Sequence, residues 1–338
     1  MQCAEGRNNT LERWITEESV MKDLFFNGYK MSPCMIGTWA WGNGGNGSRM
    51  VFGKTYDVNS LKETFNLAVQ KGFVFWDTAE VYGMGNSEKL LGEFIKDSTE
   101  QIILSTKYFP GKKYEQGKIA QSLKNSVSRL QIEAPDIYWL HNSYHYKENM
   151  EECILLLKQN KIKSIGLSNF RYSEIVETFE IANRAGLKIS GIQNHFSLLH
   201  YTDEQKKIVE WCDHNAVIYF AYMVLEQGAL SGKYDYKNHF PLFSTRNFFF
   251  GKSKFRKINS LIELIRKLGK KYNVDPSQIP IAWAINKNVV PIVGLTSPSH
   301  VASLAEGVTL KLSDQDIETL EQTAKETNII YNCSWEPS

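Results

Sequence analysis

Residues 73–92 have the sequence FVFWDTAEVYGMGNSEKLLG. Four apolar or aromatic residues precede Asp77, which predicts a fully buried strand of a parallel sheet. A short glycine-containing loop follows, and Ser87 offers an N-cap to a helix with Glu88 in its first turn. Asp77 is therefore expected at the carboxyl end of a strand, with Tyr82 on the loop beyond it. Parallel α/β folds carry out their chemistry at that end of the sheet.

The same alternation of strand and helix continues along the chain. Strands are predicted from Met35 towards Gly42 and over 73–77, 102–107, 136–140, 164–167, 190–194, 217–222 and 289–293. Helices are predicted over 60–71, 87–96, 119–130, 150–159, 172–185, 203–215, a segment ending at 272, and then 276–286, 299–306 and 313–326. A long aromatic-rich loop is predicted between 223 and 255. Eight β/α units predict a closed (β/α)8 TIM barrel, with residues 1–338 as a single domain.

Short elements are expected at both ends of this barrel. The segments 23–30 and 31–36 are predicted to form two short strands around an Asn27-Gly28 turn, which gives an N-terminal β-hairpin. A C-terminal helix and loop complete the fold. A doubly wound sheet is the alternative architecture, and it usually begins with a glycine-rich dinucleotide turn.

Two local patterns of the sequence test for a doubly wound sheet and for a metal site. Residues 42–47 match G-x-G-x-x-G, but the following SRMVFGKTYD is typical of a loop, whereas the fingerprint requires a helix there. We therefore interpret the match as a flexible glycine loop. His141 and His145 are four residues apart without the glutamate of H-E-x-x-H, and no Cys/His cluster completes a ligand set, so no metal is expected.

Composition limits the partners and the cellular compartment. The chain has 338 residues and a formal net charge of +2 at pH 7. No basic stripe indicates nucleic acid, and no apolar run of about 18 residues indicates a membrane. Five scattered cysteines without a C-x-x-C pair, and an N-terminus without a signal-peptide core, predict a cytoplasmic protein.

Four candidate catalytic residues are expected at the same mouth of the barrel. Asp77, Lys107 and His141 each come at the end of a predicted strand, and Tyr82 follows Asp77 by five residues. A buried lysine beside a tyrosine favours the phenolate and so lowers the phenol's pKa. A carboxylate keeps the lysine charged, and a histidine opposite can hydrogen-bond the same substrate oxygen. Together they would form a proton donor aimed at a carbonyl that receives a hydride.

Taken singly, each of these residues has a structural interpretation. Asp77 would cap a turn, Tyr82 would be half-buried, Lys107 would be solvated and His141 would be a hydrogen-bonded core histidine. Coincidence becomes a poor explanation when all four fall at the same end of three successive strands.

The motifs along the chain resemble those of the aldo-keto reductase superfamily. They are GTWAWG (37–42), FWDTAEVYGMGNSEKLLG (75–92), LSTKY (104–108), IYWLHN (137–142), IGLSNF (165–170), QNHFSLL (193–199), FAYMVLEQGALSGKY (220–234) and PIVGLTSPSHV (291–301). The resemblance implies a (β/α)8 barrel that reduces an aldehyde or ketone. It implies Tyr82 as the general acid, Lys107 and Asp77 as the groups that tune it, and His141 as the group that orients the carbonyl.

The resemblance also implies an NADPH site, with NADH as the alternative cofactor. Ser168, Asn169 and Gln193 match the positions that hold the nicotinamide carboxamide, and Tyr222 matches the aromatic residue that stacks on the nicotinamide. The segment 225–233 is implied to cover the pyrophosphate, and 294–300 to meet the ribose and its 2′-phosphate. The implied cofactor residues are Gly37, Thr38, Trp39, Asp77, Ser168, Asn169, Gln193, Tyr222, Leu225, Gly228, Leu230, Gly232, Lys233, Gly294, Thr296, Ser297 and His300.

Three departures from the family pattern bear on the cofactor. Met223 and Val224 replace the usual Ser-Pro after Tyr222, which removes a hydroxyl donor near the pyrophosphate. The segment 296–300 offers hydroxyls and His300 but no arginine or lysine for a 2′-phosphate. Ser303 and Leu304 replace the usual acid and asparagine at the adenine. Charge-assisted contacts to phosphate are about twice as strong as neutral ones, so the preference for NADPH over NADH is left open.

The loops around the mouth are expected to contact a small carbonyl substrate. The predicted substrate residues are Trp39, Trp41, Tyr82, Phe109, His141 and Asn142, and the tail adds Tyr331 and Trp335. This aromatic wall suits an apolar or ring-shaped compound.

Two other functions remain open, and the chain is expected to be a monomer or a homo-oligomer. One alternative is a nucleotide-binding regulatory subunit on the same barrel, as in the channel β-subunits that resemble this family. The other is non-redox proton chemistry of an isomerase or lyase.

Overall fold

A small hairpin precedes the barrel in the computed structural model, which describes residues 25–26, 28–43 and 47–330. Strand β1 (Phe25–Phe26) pairs antiparallel with β2 (Tyr29–Lys30). The predicted hairpin is therefore present, but 31–36 is not its second arm. Pro33 has no N–H to continue a ladder, and the chain passes into the barrel instead. Asn27, in the predicted turn, lies outside the described residues.

Eight parallel strands close the predicted barrel. Their order around it is β10-β3-β4-β5-β6-β7-β8-β9, so neighbours in sequence are neighbours in space. The strands are β3 (Met35–Gly37), β4 (Phe75–Asp77), β5 (Ile103–Tyr108), β6 (Ile137–Leu140), β7 (Ile165–Ser168), β8 (Ile189–His195), β9 (Ile218–Tyr222) and β10 (Val290–Gly294). The TIM-barrel prediction is confirmed, and strand bounds differ from those predicted by one or two residues in most cases.

Helices connect the strands on the outside of the barrel. They are α1 (Ser48–Phe52), α2 (Val58–Gln70), α3 (Asn86–Lys96), α4 (Lys118–Leu130), α5 (Tyr146–Lys158), α6 (Tyr172–Arg184), α7 (Asp203–His214), α8 (Arg246–Phe249), α9 (Lys252–Lys257), α10 (Asn259–Tyr272), α11 (Gln278–Asn286), α12 (Pro298–Gly307) and α13 (Asp314–Glu326). One of them, α8, lies within the segment for which the sequence predicts a long loop, and α9 begins in that segment. A four-residue and a six-residue helix are too short to produce a clear helical periodicity.

The glycine segment after β3 differs from its predicted form. Helix α1 begins at Ser48 directly after Gly47, where the sequence predicts a loop. It ends at Phe52, and Gly53 caps it with a left-handed φ of 72°. This helix has five residues and follows a barrel strand, so the match to a dinucleotide fingerprint does not produce a doubly wound fold. Residues 44–46 of the predicted flexible loop lie outside the described part of the chain.

The predicted N-cap of α3 is also wrong. The N-cap is Gly85, with φ 85°, and Ser87 lies inside the first turn. The Ser87 hydroxyl makes other contacts instead of capping the helix. It donates to the Thr38 carbonyl at 2.8 Å and lies 3.1 Å from the Thr78 hydroxyl. It therefore joins the loop after β3 to the end of β4 rather than capping the helix.

The inside of the barrel is filled by large side chains. Trp139 on β6 and Phe220 on β9 meet edge to face with ring centroids 5.4 Å apart. Two glycines make room for the indole, since a Cβ on Gly166 would lie 2.2 Å from Trp139 Cε3 and one on Gly191 would lie 3.0 Å from its Cη2. Phe26 of the hairpin packs against the same interior cluster. A second and larger core lies between the barrel and its helices.

Candidate active site

Three strand ends bring the four predicted catalytic residues together. Lys107 on β5 forms an ion pair with Asp77 at the end of β4 and donates a 2.7 Å hydrogen bond to the Thr78 carbonyl. Lys107 Nζ also lies 4.9 Å from the centre of the Tyr82 ring. The Tyr82 and His141 rings lie 6.0 Å apart in an edge-to-face arrangement. A tyrosine thus lies between a buried ion pair and a histidine.

Asp77 is held by more partners than the sequence predicts. Its Oδ1 accepts hydrogen bonds from the Ser105 hydroxyl at 2.6 Å and from Gln193 Nε2 at 3.2 Å, while its Oδ2 faces Lys107. The sequence analysis missed Ser105. A strand period of two places Ser105 on the same face as Lys107, so the alternation along β5 was the signal that would have found it.

Lys107 is completely buried, and this determines its ionisation. Burial lowers the pKa of the Lys107 ammonium, and the Asp77 carboxylate beside it offsets part of that effect. A buried cation is tolerated when it is paired and hydrogen-bonded, as Lys107 is to Asp77 and to the Thr78 carbonyl. The positive charge next to Tyr82 therefore depends on Asp77.

His141 is a neutral hydrogen-bonding group at neutral pH. Burial, and then the nearby positive charge of Lys107, hold the pKa of the His141 imidazole well below its usual value. Its Nδ1 is buried and has no hydrogen-bond partner among the described residues. A buried polar atom without a hydrogen-bond partner is uncommon in proteins.

Two glycines bring the loops after β3 and β4 into contact around Tyr82. Gly83 has φ 56°, and a Cβ on it would lie 2.5 Å from the Cα of Gly42. Trp39, also on the loop after β3, has its ring centre 6.2 Å from that of Tyr82. The tyrosine is therefore fixed from both loops.

The predicted nicotinamide residues directly adjoin the four predicted catalytic residues. Asn169 Nδ2 donates to the His141 carbonyl at 2.8 Å and to the Ser168 hydroxyl at 3.2 Å. The Tyr222 hydroxyl donates to Asn169 Oδ1. Gln193 contacts the predicted catalytic residues through its hydrogen bond to Asp77. These four residues come from the ends of β7, β8 and β9, and their amides and hydroxyls fit the donors and acceptors of a carboxamide.

The remaining predicted cofactor residues lie on neighbouring elements. Thr38 follows Gly37 and donates through its hydroxyl to the Asp77 carbonyl at 3.1 Å. Gly37 and Gly294 are partners in the ladder between β3 and β10, so Thr38 and the 296–300 turn leave adjacent strands. Thr296, Ser297 and His300 form that turn and the start of α12.

The segment after β9 contains the other five predicted cofactor residues. Gly228 and Gly232 have left-handed φ values of 97° and 75°, and Lys233 is exposed. Leu230 is fully buried, so it packs the core beneath this segment. Leu225 is partly buried against the same core.

A buried hydrogen-bonded cluster under this segment was missed by the sequence analysis. Glu226 accepts a 2.8 Å hydrogen bond from His195 Nε2 and another from the Ser197 hydroxyl, and all three side chains are buried. Glu226 and Gln227 adopt left-handed φ values of 47° and 53°. The contacts of Glu226 fasten a strained turn that directly follows Tyr222. Its signal was a carboxylate directly after the apolar run 220–225.

The predicted substrate residues divide into two groups. Trp39 and Phe109 line the site, and the Phe109 ring lies 5.5 Å from that of His141. Trp41 does not join them, because it is 1% exposed and its Nε1 donates to the Leu295 carbonyl at 2.7 Å. Asn142 is buried and joins two rim loops through the Pro110 carbonyl and the Tyr144 N–H. Tyr331 and Trp335 lie outside the described residues.

The part of the chain that the structure describes contains neither a metal-ligand cluster nor a membrane-spanning helix. There, no group of three or more His, Cys, Asp or Glu is arranged to hold a metal ion. His145 Nε2 lies 2.9 Å from the Lys112 carbonyl. None of the helices in that part is long and apolar enough to cross a bilayer.

The family model for the aldo/keto reductase family matches residues 33–325. Among curated relatives, a chloroplastic pyridoxal reductase of Arabidopsis thaliana is 29% identical over 316 residues, covering 88% of this chain and 84% of its own. The family match includes every strand of the barrel and the whole of the site described above.

Solved structures share the fold at lower identity. A glycerol dehydrogenase from Gluconobacter oxydans superposes with a TM-score of 0.74 at 22% identity, covering 92% of this chain and 95% of its own. An aldo/keto reductase from Klebsiella pneumoniae, solved with NADP and acetate, gives a TM-score of 0.67 at 20% identity over 88% of this chain and 93% of its own. At these identities the likeness concerns the fold alone.

Proposed function

The chain belongs to the aldo/keto reductase family, and we propose that it reduces an aldehyde or ketone to the alcohol with NADPH, with Tyr82 as the proton donor. Members of this family are oxidoreductases that use a nicotinamide cofactor. The proposal assigns the general roles of the family to individual residues of this chain and to a substrate that enters past Trp39 and Phe109.

The observation that carries the proposal is the buried Lys107–Asp77 pair beside Tyr82, with neutral His141 opposite. The positive charge of Lys107 stabilises negative charge on the phenol oxygen as the proton leaves. Asp77 holds the ammonium in place and keeps it protonated. His141, being neutral, donates a hydrogen bond to the substrate oxygen without competing for the proton.

The residues at the ends of β7 to β9 would hold the cofactor. Ser168, Asn169 and Gln193 would bind the carboxamide, and Tyr222 would pack against the ring face. When bound, reduced nicotinamide supplies the hydride. Asn169 also binds the His141 carbonyl, and Gln193 binds Asp77, so the residues that would orient the cofactor also position the groups that orient and protonate the substrate.

The test combines cofactor binding with turnover. NADPH and NADH are titrated into the protein by fluorescence, and oxidation of the reduced cofactor is followed with aromatic and aliphatic aldehydes, pyridoxal included. Tyr82→Phe is expected to lower kcat at least about 100-fold with an unchanged Kd for NADPH, because it removes the transferable proton. Tyr172→Phe, at the start of α6 on the outside of the barrel, is the matched control and should leave both unchanged.

The other outcomes point to the two alternative functions. Binding of NADPH without turnover of any aldehyde would favour a nucleotide-binding regulatory protein. A protein that binds neither nucleotide would contradict the reductase proposal and favour non-redox proton chemistry at Tyr82. Turnover that survives in Tyr82→Phe would show that another group donates the proton.

A further inference from the structure

The turn proposed to meet the cofactor's 2′-phosphate contains no arginine or lysine of its own. It consists of Thr296, Ser297, Pro298, Ser299 and His300, and it opens α12. The N-cap Ser297 makes no side-chain cap bond to the helix backbone. Backbone N–H groups at such a helix start attract an anion weakly, and a phosphate dianion is usually also met by a cation.

A lysine from a distant part of the sequence lies beside this turn. Lys54, between α1 and α2, places its Nζ 4.7 Å from the centre of the Tyr56 ring. The Thr296 hydroxyl lies close enough to the Tyr56 phenol to offset part of the rise in its pKa that burial causes. Thr296 Oγ1 in turn lies 3.3 Å from His300 Nδ1. A continuous set of contacts therefore joins Lys54 to both ends of the turn.

The charges around this turn are predominantly positive. Burial and then the charges of Lys54 and Lys233 lower the pKa of His300, and Asp275 is the carboxylate that opposes them. Burial and then Lys233 and Arg246 lower the pKa of Lys54. In the described part of the chain, neither Lys54 nor Lys233 forms an ion pair. Two lysines opposed by one carboxylate leave a net positive charge around the turn, which favours the binding of an anion.

Arg246 is excluded from direct binding by its own contacts. Its guanidinium donates to the Ser244 hydroxyl and to the carbonyls of Gln227 and Phe52 at 2.8 to 3.2 Å. It also lies 4.1 Å from the centre of the Phe240 ring. Arg246 therefore supports the segment after β9 from within. Lys233 belongs to the segment proposed to cover the pyrophosphate, which both nicotinamide dinucleotides carry.

We infer that Lys54 supplies the cation that recognises the 2′-phosphate of NADPH. This role rests on the proposed cofactor site, and it makes Lys54 a specificity-determining residue for the reaction. The missing arginine or lysine of the 296–300 turn is replaced by a lysine from the loop after α1. The chain therefore prefers NADPH to NADH, although the motif around the turn lacks the charge for it.

The test compares the two cofactors in three proteins. Kd values for NADPH and NADH are measured by fluorescence titration for the unchanged chain, for Lys54→Ala and for Lys124→Ala, an exposed lysine on α4. Lys54→Ala is expected to raise the Kd of NADPH about 10-fold, as for the loss of one charge-assisted hydrogen bond, with NADH changed less than about twofold. Lys54→Arg is expected to keep the preference, and Lys124→Ala to change neither Kd.

The outcomes separate this inference from the proposed function. If the unchanged chain binds neither nucleotide, the proposed function and this inference both fail. If it binds nucleotides but Lys54→Ala changes both Kd values equally or not at all, the reductase proposal stands and Lys54 is only a surface lysine. Circular dichroism of Lys54→Ala verifies that the fold is retained.

Discussion

At the scale of single residues, the lowered pKa of His141 makes the free energy of unfolding depend on pH. The unfolded chain binds a proton at this histidine near its ordinary pKa of 6.5, whereas in the native state burial and Lys107 hold the pKa well below that value. The stability that His141 contributes is therefore fully present above pH 6.5. It is lost as the pH falls from 6.5 towards the lowered native pKa.

We expect His141→Asn to reduce this acid sensitivity. Between pH 6.5 and about 5.5 the free energy of unfolding of the unchanged chain should fall by up to about 1 kcal/mol more than that of the variant. Urea titrations at the two pH values measure the difference, and the comparison cancels the contributions of His300 and the carboxylates. Equal losses in the two proteins would show that His141 is not held neutral by the fold.

The residues that sequence analysis found and missed differ in a physical way. Asp77, Lys107 and His141 were predictable because each follows a run of strand residues, which fixes both its depth and its side of the barrel. Glu226 and Lys54 were not, because their contacts depend on the path of loops that no short-range pattern encodes. The motif places Trp41 at the mouth, but its indole is buried and donates to the Leu295 carbonyl.

At the scale of elements, the contact between the loops after β3 and β4 determines where Tyr82 lies. Gly83 and Gly42 approach within a distance that leaves no room for a side chain on either. Gly83 also has a left-handed φ that glycine adopts at little cost. Any side chain at this position separates the two loops and displaces the adjacent tyrosine.

We expect Gly83→Ala to lower kcat about 10- to 100-fold, because a shift of about 1 Å in a catalytic group has an effect of that size. Steady-state kinetics with the best aldehyde measures it. Gly117→Ala, at the start of α4, is the matched control, because Gly117 also has a left-handed φ of 78° but no atom lies within 4 Å of the place a Cβ would take. The control should lose stability without losing kcat. An unchanged kcat in Gly83→Ala would mean that the loop contact does not position Tyr82.

Helices long enough to show a 3.6-residue period were predicted with small errors at their ends. The short helices α1 and α8 and the start of α9 were not predicted, since a helix of about one turn depends on its surroundings rather than on its own sequence. Arg246 on α8 illustrates this, because its guanidinium reaches the Phe52 carbonyl at the end of α1. The helices α1 and α8 thus hold each other in place through this arginine.

At the scale of the whole molecule, the barrel interior depends on a match between one indole and two glycines. Trp139 occupies the space that side chains on Gly166 and Gly191 would otherwise fill. The eightfold alternation of strand and helix predicted the barrel, because every repeat carries the same signal. It did not predict this match, because Gly166 and Trp139 lie on different strands and meet only when β6 and β7 pair in register.

We expect the match to appear as a coupling in a double-mutant cycle. Gly166→Ala should lower the free energy of unfolding by about 1–3 kcal/mol through overpacking, and Trp139→Leu should lower it by about 3 kcal/mol through the space it leaves. The double variant should be at least about 1 kcal/mol more stable than the sum of the two losses predicts. Strictly additive losses in urea unfolding would contradict the packing described here.

Because its interior is filled, the barrel is not a channel from one end to the other. Trp139 and Phe220 occupy its middle, and Phe26 packs against them from the hairpin that precedes β3. In the proposed reaction, cofactor and substrate would therefore enter and leave by the same rim around Tyr82.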